Sequence, residues 1–332
     1  MTFTPWPLVD MMIWAVILII FFALGALILT LGERKISGFM QDRLGPMEVG
    51  RWHGILQPIA DALKLLQKED LVPTRANPRY HMVAPMLVFS GALAAMVVIP
   101  WTATAIPADL NIGIFYFLGI SSLGVLGVLM AGWASANKWS LFGAMRGAAQ
   151  IVSYEIPVSI AVLSALIYTG TLSTVGIVES QAGTMFSWMI FKAFPFNLIG
   201  AGIFTLGTIA EGSRLPFDLP ESESELVAGF HTEYSGIRFA MFFLAEYGNI
   251  FVAGLIITVV YLGGWMAPFP FLAFIPPLLW TVIKMVVVAC CIIAIRWSLP
   301  RLRVDQLMSL SWKYLTPLAI LCLLGTSIWA LL

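Results

Sequence analysis

Long apolar segments alternate with short polar ones along the whole chain. A helix of about 20 apolar residues crosses the hydrocarbon core of a bilayer, and eight segments approach or exceed that length. Because backbone groups in lipid must be satisfied within a segment, and these runs are too uniformly apolar for barrel strands, helices are predicted. The pattern predicts one all-α, polytopic membrane domain over residues 1–332, with spans at 9–31, 82–101, 112–136, 151–172, 186–210, 239–263, 271–295 and 315–332.

Charged residues are concentrated in four of the gaps between these spans. The four gaps are 32–80, 137–150, 211–238 and 296–314. They hold every Lys and Arg of the chain except Lys192 and Lys284. Since loops rich in Lys and Arg face the cytoplasm, we expect these gaps inside and both termini outside. No base precedes the first span, which is too long for a signal h-region, so we expect it to be retained.

Composition agrees with a membrane protein and excludes several other classes of protein. The chain is 60% hydrophobic and 11% charged, outside the range of soluble domains. Its three cysteines lie in spans without a CxxC pair, and its three histidines lie in or beside the gaps. Neither a dinucleotide fingerprint nor a P-loop is present. We therefore expect no iron–sulfur cluster, haem, nucleotide or nucleic acid on this chain, and any electrons must come from elsewhere.

The first gap contains an amphipathic helical pattern. Apolar residues recur at helical spacing at Leu56, Ile59, Leu63 and Leu66. Polar residues share the other face, at Gln57, Asp61, Lys64 and Lys68. A helix of this kind lies on the membrane surface. It is either a simple anchor or one wall of an entrance for a lipid-soluble ligand.

The gap 211–238 is acidic, against the usual bias of inner loops. Its acids are Glu211, Asp218, Glu221, Glu223, Glu225 and Glu233, against two arginines. Apolar residues are interleaved with them, which disordered acidic tails lack. If 221–230 is helical, Glu221 and Glu225 share a face, and the pKa of at least one is raised. This predicts a folded site able to exchange protons; the alternative is a set of carboxylates that pair with the basic gap 32–80.

Among the ionisable residues inside the spans, three are candidates for a function. Glu155 begins the fourth span, Glu246 lies about two turns into the sixth, and Lys284 lies near the middle of the seventh. A charge at mid-bilayer costs roughly 2.5–3.5 kcal/mol, so such groups should face the bundle interior. We expect a polar path from the acidic gap through Glu155, Glu211 and Glu246 toward Lys284.

Short motifs run through all four gaps and into the neighbouring spans. They include Glu33-Arg34-Lys35, Gly45-Pro46, Ala60-Asp61, Gly143-Ala144, Ser153-Tyr154-Glu155, Pro216-Phe217-Asp218, Glu233-Tyr234-Ser235, Ala245-Glu246-Tyr247, Pro300-Arg301 and Trp312-Lys313. Together they resemble the H-subunit family of the respiratory NADH:quinone oxidoreductase, complex I. The resemblance covers essentially the whole chain.

The resemblance implies a quinone tunnel coupled to proton pumping in a bacterial inner membrane. The substrate would be ubiquinone or menaquinone. Partners would be the peripheral-arm subunits that carry the terminal iron–sulfur cluster, and small neighbouring membrane-arm subunits. Proton coupling would fall to Glu155, Glu211, Glu221, Glu223, Glu225 and Glu246. The quinone cavity would be lined by Arg34, Lys35, Arg43, Asp61, Arg214, Asp218 and Arg296.

The chain departs from the family pattern at a few positions. Many relatives carry a carboxylate in the third span, where this chain has Gly124. The family's GPN is Gly45-Pro46-Met47 here, and Trp139 follows Lys138 in place of the common Tyr. The alternative functions are the homologous subunit of an energy-converting hydrogenase, a stand-alone ion antiporter and a passive membrane anchor. No convincing internal repeat supports the antiporter, and Glu246 and Lys284 argue against the anchor.

Overall fold

The computed structural model describes residues 7–50 and 52–331, apart from the side chains of Pro7, Glu223 and Ser224. Within those residues the chain is helical and forms no strand, which confirms the all-α membrane fold. The helices are α1 Pro7–Met40, α2 Gln57–Gln67, α3 Pro78–Ala95, α4 Gly113–Ser121, α5 Leu123–Ala134, α6 Lys138–Thr169, α7 Thr174–Glu179, α8 Phe196–Glu211, α9 Glu223–Leu226, α10 Gly236–Tyr261, α11 Pro277–Ser298, α12 Val304–Ser309 and α13 Thr316–Leu331.

Seven helical segments in the described residues are long and apolar enough to cross a membrane. The fifth predicted span, 186–210, is shorter than expected, because α8 begins at Phe196 rather than at 186. Its 16 residues extend roughly 24 Å, below the thickness of a typical hydrocarbon core. The count of eight is therefore not confirmed.

The residues before α8 form turns that are partly buried, with Trp188 and Met189 inside the protein and Phe186 and Phe194 exposed. The Gln181 side chain accepts hydrogen bonds from the backbone N–H groups of Met189 at 2.9 Å and Gly263 at 3.0 Å. Its amide nitrogen donates to the Val259 carbonyl at 3.0 Å. Non-helical backbone at membrane depth is tolerated where protein groups satisfy it in this way. Hydropathy alone does not distinguish such a turn from a helix.

Two helices are longer than their apolar runs. Helix α1 continues beyond residue 31 to Met40, and α6 begins at Lys138. The gap 137–150 is therefore the first turns of α6 and not a loop. Asn137 caps this helix by accepting a hydrogen bond from the backbone N–H of Trp139 at 3.0 Å. A capped helix can continue past the membrane boundary, where hydropathy no longer marks it.

Helix α10 lies at the centre of the bundle, packed against α1, α3, α8 and α11. Glycines allow the close approaches. At Gly248 a Cβ atom would lie 1.9 Å from the Phe22 ring of α1. At Gly207 of α8 it would lie 1.9 Å from Val158 of α6. Small residues at such crossings bring helix backbones together in membranes, and here they fix α10 and its polar residues inside the bundle.

Candidate functional site

The four charged gaps meet at one end of the bundle. Ion pairs join the third gap to the other three: Arg238 to Asp70 at 2.9 Å, Arg146 to Glu225 at 2.5 Å, and Arg301 to Glu225 at 3.4 Å. The gaps therefore lie on one side of the molecule. That this end faces the cytoplasm stays a prediction.

Arg214 is the centre of a buried charge network at this end. It lies in the turn after α8, and its side chain is 3% exposed. Its guanidinium contacts Glu246 of α10 at 2.6 Å and Glu33 of α1 at 3.5 Å, and it covers the Tyr247 ring at 4.2 Å. Arg296, in the last turn of α11, binds the other oxygen of Glu33. Two guanidinium groups and two carboxylates thus join three helices.

The charge state of Arg214 follows from these neighbours. Burial by itself lowers its pKa, but the Glu246 carboxylate, Tyr247 and Glu33 together raise the pKa above its ordinary value. Arg214 is therefore a fixed positive charge. A buried ion pair of this kind requires its partners, because removing one leaves an uncompensated charge.

A cavity of about 790 Å³ opens beside this network. We call it the charged cavity. Its lining residues are Arg214, Asp218, Glu221, Ala228, His231, Phe239, Phe243, Glu246, Tyr247, Arg296 and Arg301. The predicted residues Arg214, Asp218, Glu221, Glu246 and Arg296 are therefore brought together.

Glu221 and His231 form a polar pair in the wall of the charged cavity. The His231 Nε2 atom lies 3.1 Å from a Glu221 oxygen. Burial lowers the pKa of His231 to about 4, so the ring is neutral at pH 7. Burial, followed by the Glu246 carboxylate, raises the pKa of Glu221 well above its ordinary value, although Arg214 opposes this. Glu221 can therefore take up a proton in the cavity wall.

A second pocket of about 240 Å³, the apolar pocket, lies between α1, α2 and α10. Its walls are apolar apart from Thr30, Asp61 and Tyr247. Arg34 holds the Asp61 carboxylate at 2.6 Å. Outside the pocket, α2 exposes Ile59 and Leu63 at the surface, as expected for an interfacial helix.

Two aromatic residues belong to both the apolar pocket and the charged cavity. Phe243 and Tyr247 line each of them, and their ring centroids are 4.8 Å apart. The residues are one turn apart on α10, so their side chains share a face. Arg214 covers the Tyr247 ring from the charged side. The apolar pocket and the charged cavity thus share a wall that is formed by two aromatic side chains.

Glu155 and Glu211 form a separate group without arginine. Glu155 lies on α6 and Glu211 is the last residue of α8. The two carboxylates are close enough to repel each other. Among the described residues, no basic side chain interacts with either, and one oxygen of Glu155 is buried without a hydrogen-bond partner.

Other predicted site residues lie apart from both groups. Lys35 donates a hydrogen bond to the Pro46 carbonyl at 2.6 Å, and Arg43 donates to Gln41 at 2.7 Å. Their place in a quinone cavity stays a prediction. Glu225 is a half-exposed surface residue paired with Arg146, which lowers its pKa. The Glu223 side chain lies outside the described residues.

The predicted pairing of Glu221 with Glu225 is wrong. Helix α9 covers only Glu223–Leu226, so the two residues are not neighbours on one helix. Their partners also differ, because Glu221 contacts His231 while Glu225 contacts Arg146. The raised pKa of Glu221 comes from burial and from Glu246 instead. Helix periodicity failed here because Val227 and Gly229 have positive φ angles, which interrupt a right-handed helix after Leu226.

Lys284 does not belong to a polar path with the carboxylates. Its ammonium group donates to the carbonyls of Leu262, Gly264 and Met266 at 2.7, 2.9 and 2.7 Å. It also lies 4.0 Å from the Trp188 ring centre. Glu246 and Leu262 are separated by 16 positions, or roughly 24 Å along a helix axis. Lys284 therefore holds the far end of α10, where carbonyl dipoles favour a cation.

Sequence reasoning missed four residues that shape the site: Glu33, His231, Phe243 and Tyr247. Glu33 follows the first span directly and reads as an ordinary boundary charge, yet its side chain is 6% exposed. Phe243 and Tyr247 are spaced by four in a uniformly apolar helix, so nothing in the pattern separates them from core aromatics. The motifs Glu33-Arg34-Lys35 and Ala245-Glu246-Tyr247 include Glu33 and Tyr247 but assign neither residue a role.

Comparisons with known proteins find similar sequences along nearly the whole chain. A family model described as NADH dehydrogenase matches residues 13–327. The chain is 48% identical to the H subunit of NADH-quinone oxidoreductase from Chlorobaculum tepidum, over 98% of this chain and 94% of that protein. It is 44% identical to the same subunit from Anaeromyxobacter dehalogenans, over 98% of this chain and 83% of that protein. For the same subunit from Geobacillus kaustophilus the identity is 43%, over 93% of each chain.

Proposed function

The chain belongs to the NADH dehydrogenase family of NADH-quinone oxidoreductase membrane subunits, and from that premise we propose that it forms the passage for the quinone. The quinone enters from the membrane through the apolar pocket and brings its head toward the charged cavity. The observation that carries the proposal is the shared wall of Phe243 and Tyr247 between these two spaces.

The chemistry of a quinone suits this pair of spaces. Its isoprenoid tail is apolar and gains from burial against α1, α2 and α10. Its head carries carbonyl oxygens, which accept hydrogen bonds from groups such as arginine. Arg34 at the entrance, and Arg214 and Arg296 further in, are the candidate donors on this chain. Asp61 holds Arg34 at the pocket wall, so the pair can orient the head as it passes.

Reduction couples this passage to protons. A quinone becomes a quinol by taking up two electrons and two protons, and partner subunits with an iron–sulfur cluster supply the electrons. The arrival of negative charge at the head favours proton uptake by nearby carboxylates. We infer that Glu221 in the cavity wall responds first, and that Glu155 and Glu211 carry the change into the membrane arm.

The charged end of the bundle is the docking surface for the peripheral arm. Exposed apolar residues lie among its charges, including Phe39, Leu44 and Trp52. A mixed apolar and polar surface is typical of wet, stable interfaces. In this arrangement the gaps face the cytoplasm, the bundle lies in the bacterial inner membrane as one domain, and smaller membrane-arm subunits cover part of its sides.

A photoreactive quinone tests the proposal. An analogue with the reactive group on its isoprenoid tail is bound to the purified native complex, and crosslinked peptides are mapped with and without excess natural quinone. We expect competed labelling in α1, α2 and α10. Labelling of partner subunits alone, with these helices untouched, contradicts the proposal.

A further inference from the structure

Helix α6 contains a proline in its interior, Pro157, two residues after Glu155. A proline has no backbone N–H, so it cannot donate the hydrogen bond that a helical residue normally gives to the carbonyl four positions earlier. That carbonyl belongs to Ser153, and Glu155 lies in the middle of the turn between Ser153 and Pro157. The turn that carries Glu155 therefore lacks one of its backbone hydrogen bonds.

Ser311 supplies the missing donor from another part of the chain. Its hydroxyl donates to the Ser153 carbonyl at 2.6 Å, and both residues are buried. A carbonyl left unpaired inside the bundle would cost free energy, because no water reaches it there. The two residues are 158 positions apart, so this contact depends on how two distant segments pack and not on local helix geometry.

A π-helical segment, Leu310–Leu315, presents Ser311 to α6. It lies between α12 and α13, and the backbone N–H of Thr316 donates to the Ser311 carbonyl five positions earlier. The Thr316 hydroxyl donates to the same carbonyl at 2.9 Å. A single π-helical turn within a helix is frequently found at functional sites. Here the backbone of Ser311 is held by its own helix while its side chain reaches α6.

A neighbouring contact joins the same two segments. The Tyr154 hydroxyl donates to the Leu307 carbonyl at 3.3 Å, and both residues are fully buried. The Tyr154 ring packs against Phe217, with centroids 5.2 Å apart, which restricts the direction of the hydroxyl. The segment from Leu307 to Ser311 thus contacts α6 at the two positions that immediately precede Glu155.

The Glu155 side chain has no ion pair that could hold it in place instead. Within residues 7–50 and 52–331, no basic side chain interacts with it, and one of its oxygens is buried without a hydrogen-bond partner. The position of its carboxylate relative to Glu211 is therefore set by the backbone of α6. That backbone lacks a hydrogen bond of its own at the open turn, which is the turn that Ser311 closes.

We propose that Ser311 is the positioning residue for Glu155, because its hydroxyl replaces the N–H that Pro157 lacks and so fixes the turn of α6 that carries the carboxylate. The proposal rests on the proposed function, in which Glu155 responds to quinone reduction. It gives the gap 296–314 a task besides docking. Through Ser311, this part of the chain sets the distance between Glu155 on α6 and Glu211 on α8.

A double-mutant cycle in the assembled complex tests the proposal. Ser311→Ala removes the hydroxyl, and Pro157→Ala restores a backbone N–H that can donate to the Ser153 carbonyl. We expect Ser311→Ala alone to lower quinone-reductase kcat roughly tenfold, with KM for quinone within about twofold of wild type. In the Pro157→Ala background the same substitution should lower kcat less than about twofold. Ser327→Ala is the matched control and should leave kcat unchanged, because the Ser327 hydroxyl donates within its own helix, to Leu323 at 2.7 Å.

Two further measurements separate positioning from a general loss of stability. The infrared carbonyl stretch of the protonated Glu155 carboxyl group, identified by its loss in Glu155→Gln, should shift in Ser311→Ala and return in the double variant. Labelling of α1, α2 and α10 by the photoreactive quinone should be unchanged in Ser311→Ala. Failure of the quinone passage, scored by labelling of the wild-type complex, is therefore distinguishable from failure of this proposal.

The cycle also decides the outcome if a variant does not assemble. Should the Ser311→Ala complex fail to form, addition of Pro157→Ala is expected to restore it. Equal effects of Ser311→Ala in the two backgrounds, whether on kcat or on assembly, overturn the proposal. Wild-type turnover of the assembled Ser311→Ala complex overturns it as well.

Discussion

Two groups of carboxylates at the same end of the bundle have opposite surroundings. Glu33 and Glu246 are bound by arginines within a buried network. Glu155 and Glu211 face each other, and the described residues place no base against them. A carboxylate paired with a guanidinium is fixed in place by charge-assisted hydrogen bonds. One without a cation is free to exchange a proton when a nearby charge changes.

We infer from this difference that the arginine-bound group has a structural role and that the arginine-free group responds to changes in nearby charge. The arginine-bound group joins α1, α10 and α11 and gives the charged cavity its shape. In the part of the chain that the structure describes, the arginine-free group has no ion pair that fixes it in place. The sequence analysis placed both groups of carboxylates in one polar path, because a sequence does not show which partner a carboxylate has in the folded protein.

The largest effect is expected from a substitution that disrupts the arginine-bound group. Arg214→Met leaves Glu246 and Glu33 buried without their shared cation, and removing one partner of a buried pair costs about 3–5 kcal/mol. We expect a lower thermal midpoint of the purified complex and loss of turnover. Arg303→Gln is the control, because its pair with Asp305 is exposed and should leave the midpoint unchanged. Equal midpoints for both variants would show that the network is not a structural centre.

The second-largest effect is expected from substitutions in the arginine-free group. Glu155→Gln and Glu211→Gln keep the size of the side chain and remove its titration. We expect assembled complexes whose quinone reduction and proton uptake, measured in inverted membrane vesicles, fall at least tenfold. If both variants reduce quinone and pump at wild-type rates, the comparison has no functional meaning.

A third change sharpens the comparison by asking how the quinone reaches the charged cavity. Phe243→Trp enlarges the wall shared with the apolar pocket, so passage of a bulky head should slow. We expect a several-fold rise in KM for a long-tailed quinone in steady-state assays. Phe115→Trp, on the exposed face of α4, is the control. A KM that does not move would place the passage elsewhere.

The membrane class and the family could be predicted from the sequence, whereas the contacts between helices could not. The apolar runs gave the membrane class, and the motifs gave the family. The division of the carboxylates did not follow, because it depends on where Arg214 points across three helices. The turn before α8 and the helical start of α6 were missed because hydropathy reports burial in lipid and not backbone geometry.

A smaller effect concerns pH. The pKa of His231 is about 4 in the folded protein, below its ordinary 6.5. The unfolded state therefore binds more protons between these values, and stability falls as the pH drops from about 6.5 to about 4. The raised pKa of Glu221 acts in the opposite sense, because stability from that group falls as the pH rises above 4.5. His231→Asn should flatten the acid side of a thermal-midpoint profile; a profile with an unchanged acid limb would contradict the neutral assignment.

The smallest effect is expected at Glu225. Its half-exposed pair with Arg146 lies outside both groups, and surface pairs contribute little. We expect Glu225→Gln to change quinone turnover less than twofold in the same vesicle assay. A loss as large as that of Glu211→Gln would return Glu225 to the proton path that the sequence predicted.

Infrared difference spectroscopy of the complex, recorded between oxidised and quinol-reduced states, tests the central comparison most directly. The carbonyl stretch of a protonated carboxyl group appears or disappears when a carboxylate changes its protonation. We predict that such a band is lost in Glu155→Gln and Glu211→Gln and persists in Glu246→Gln. A band that depends on Glu246 and is untouched by the other two replacements would contradict the account.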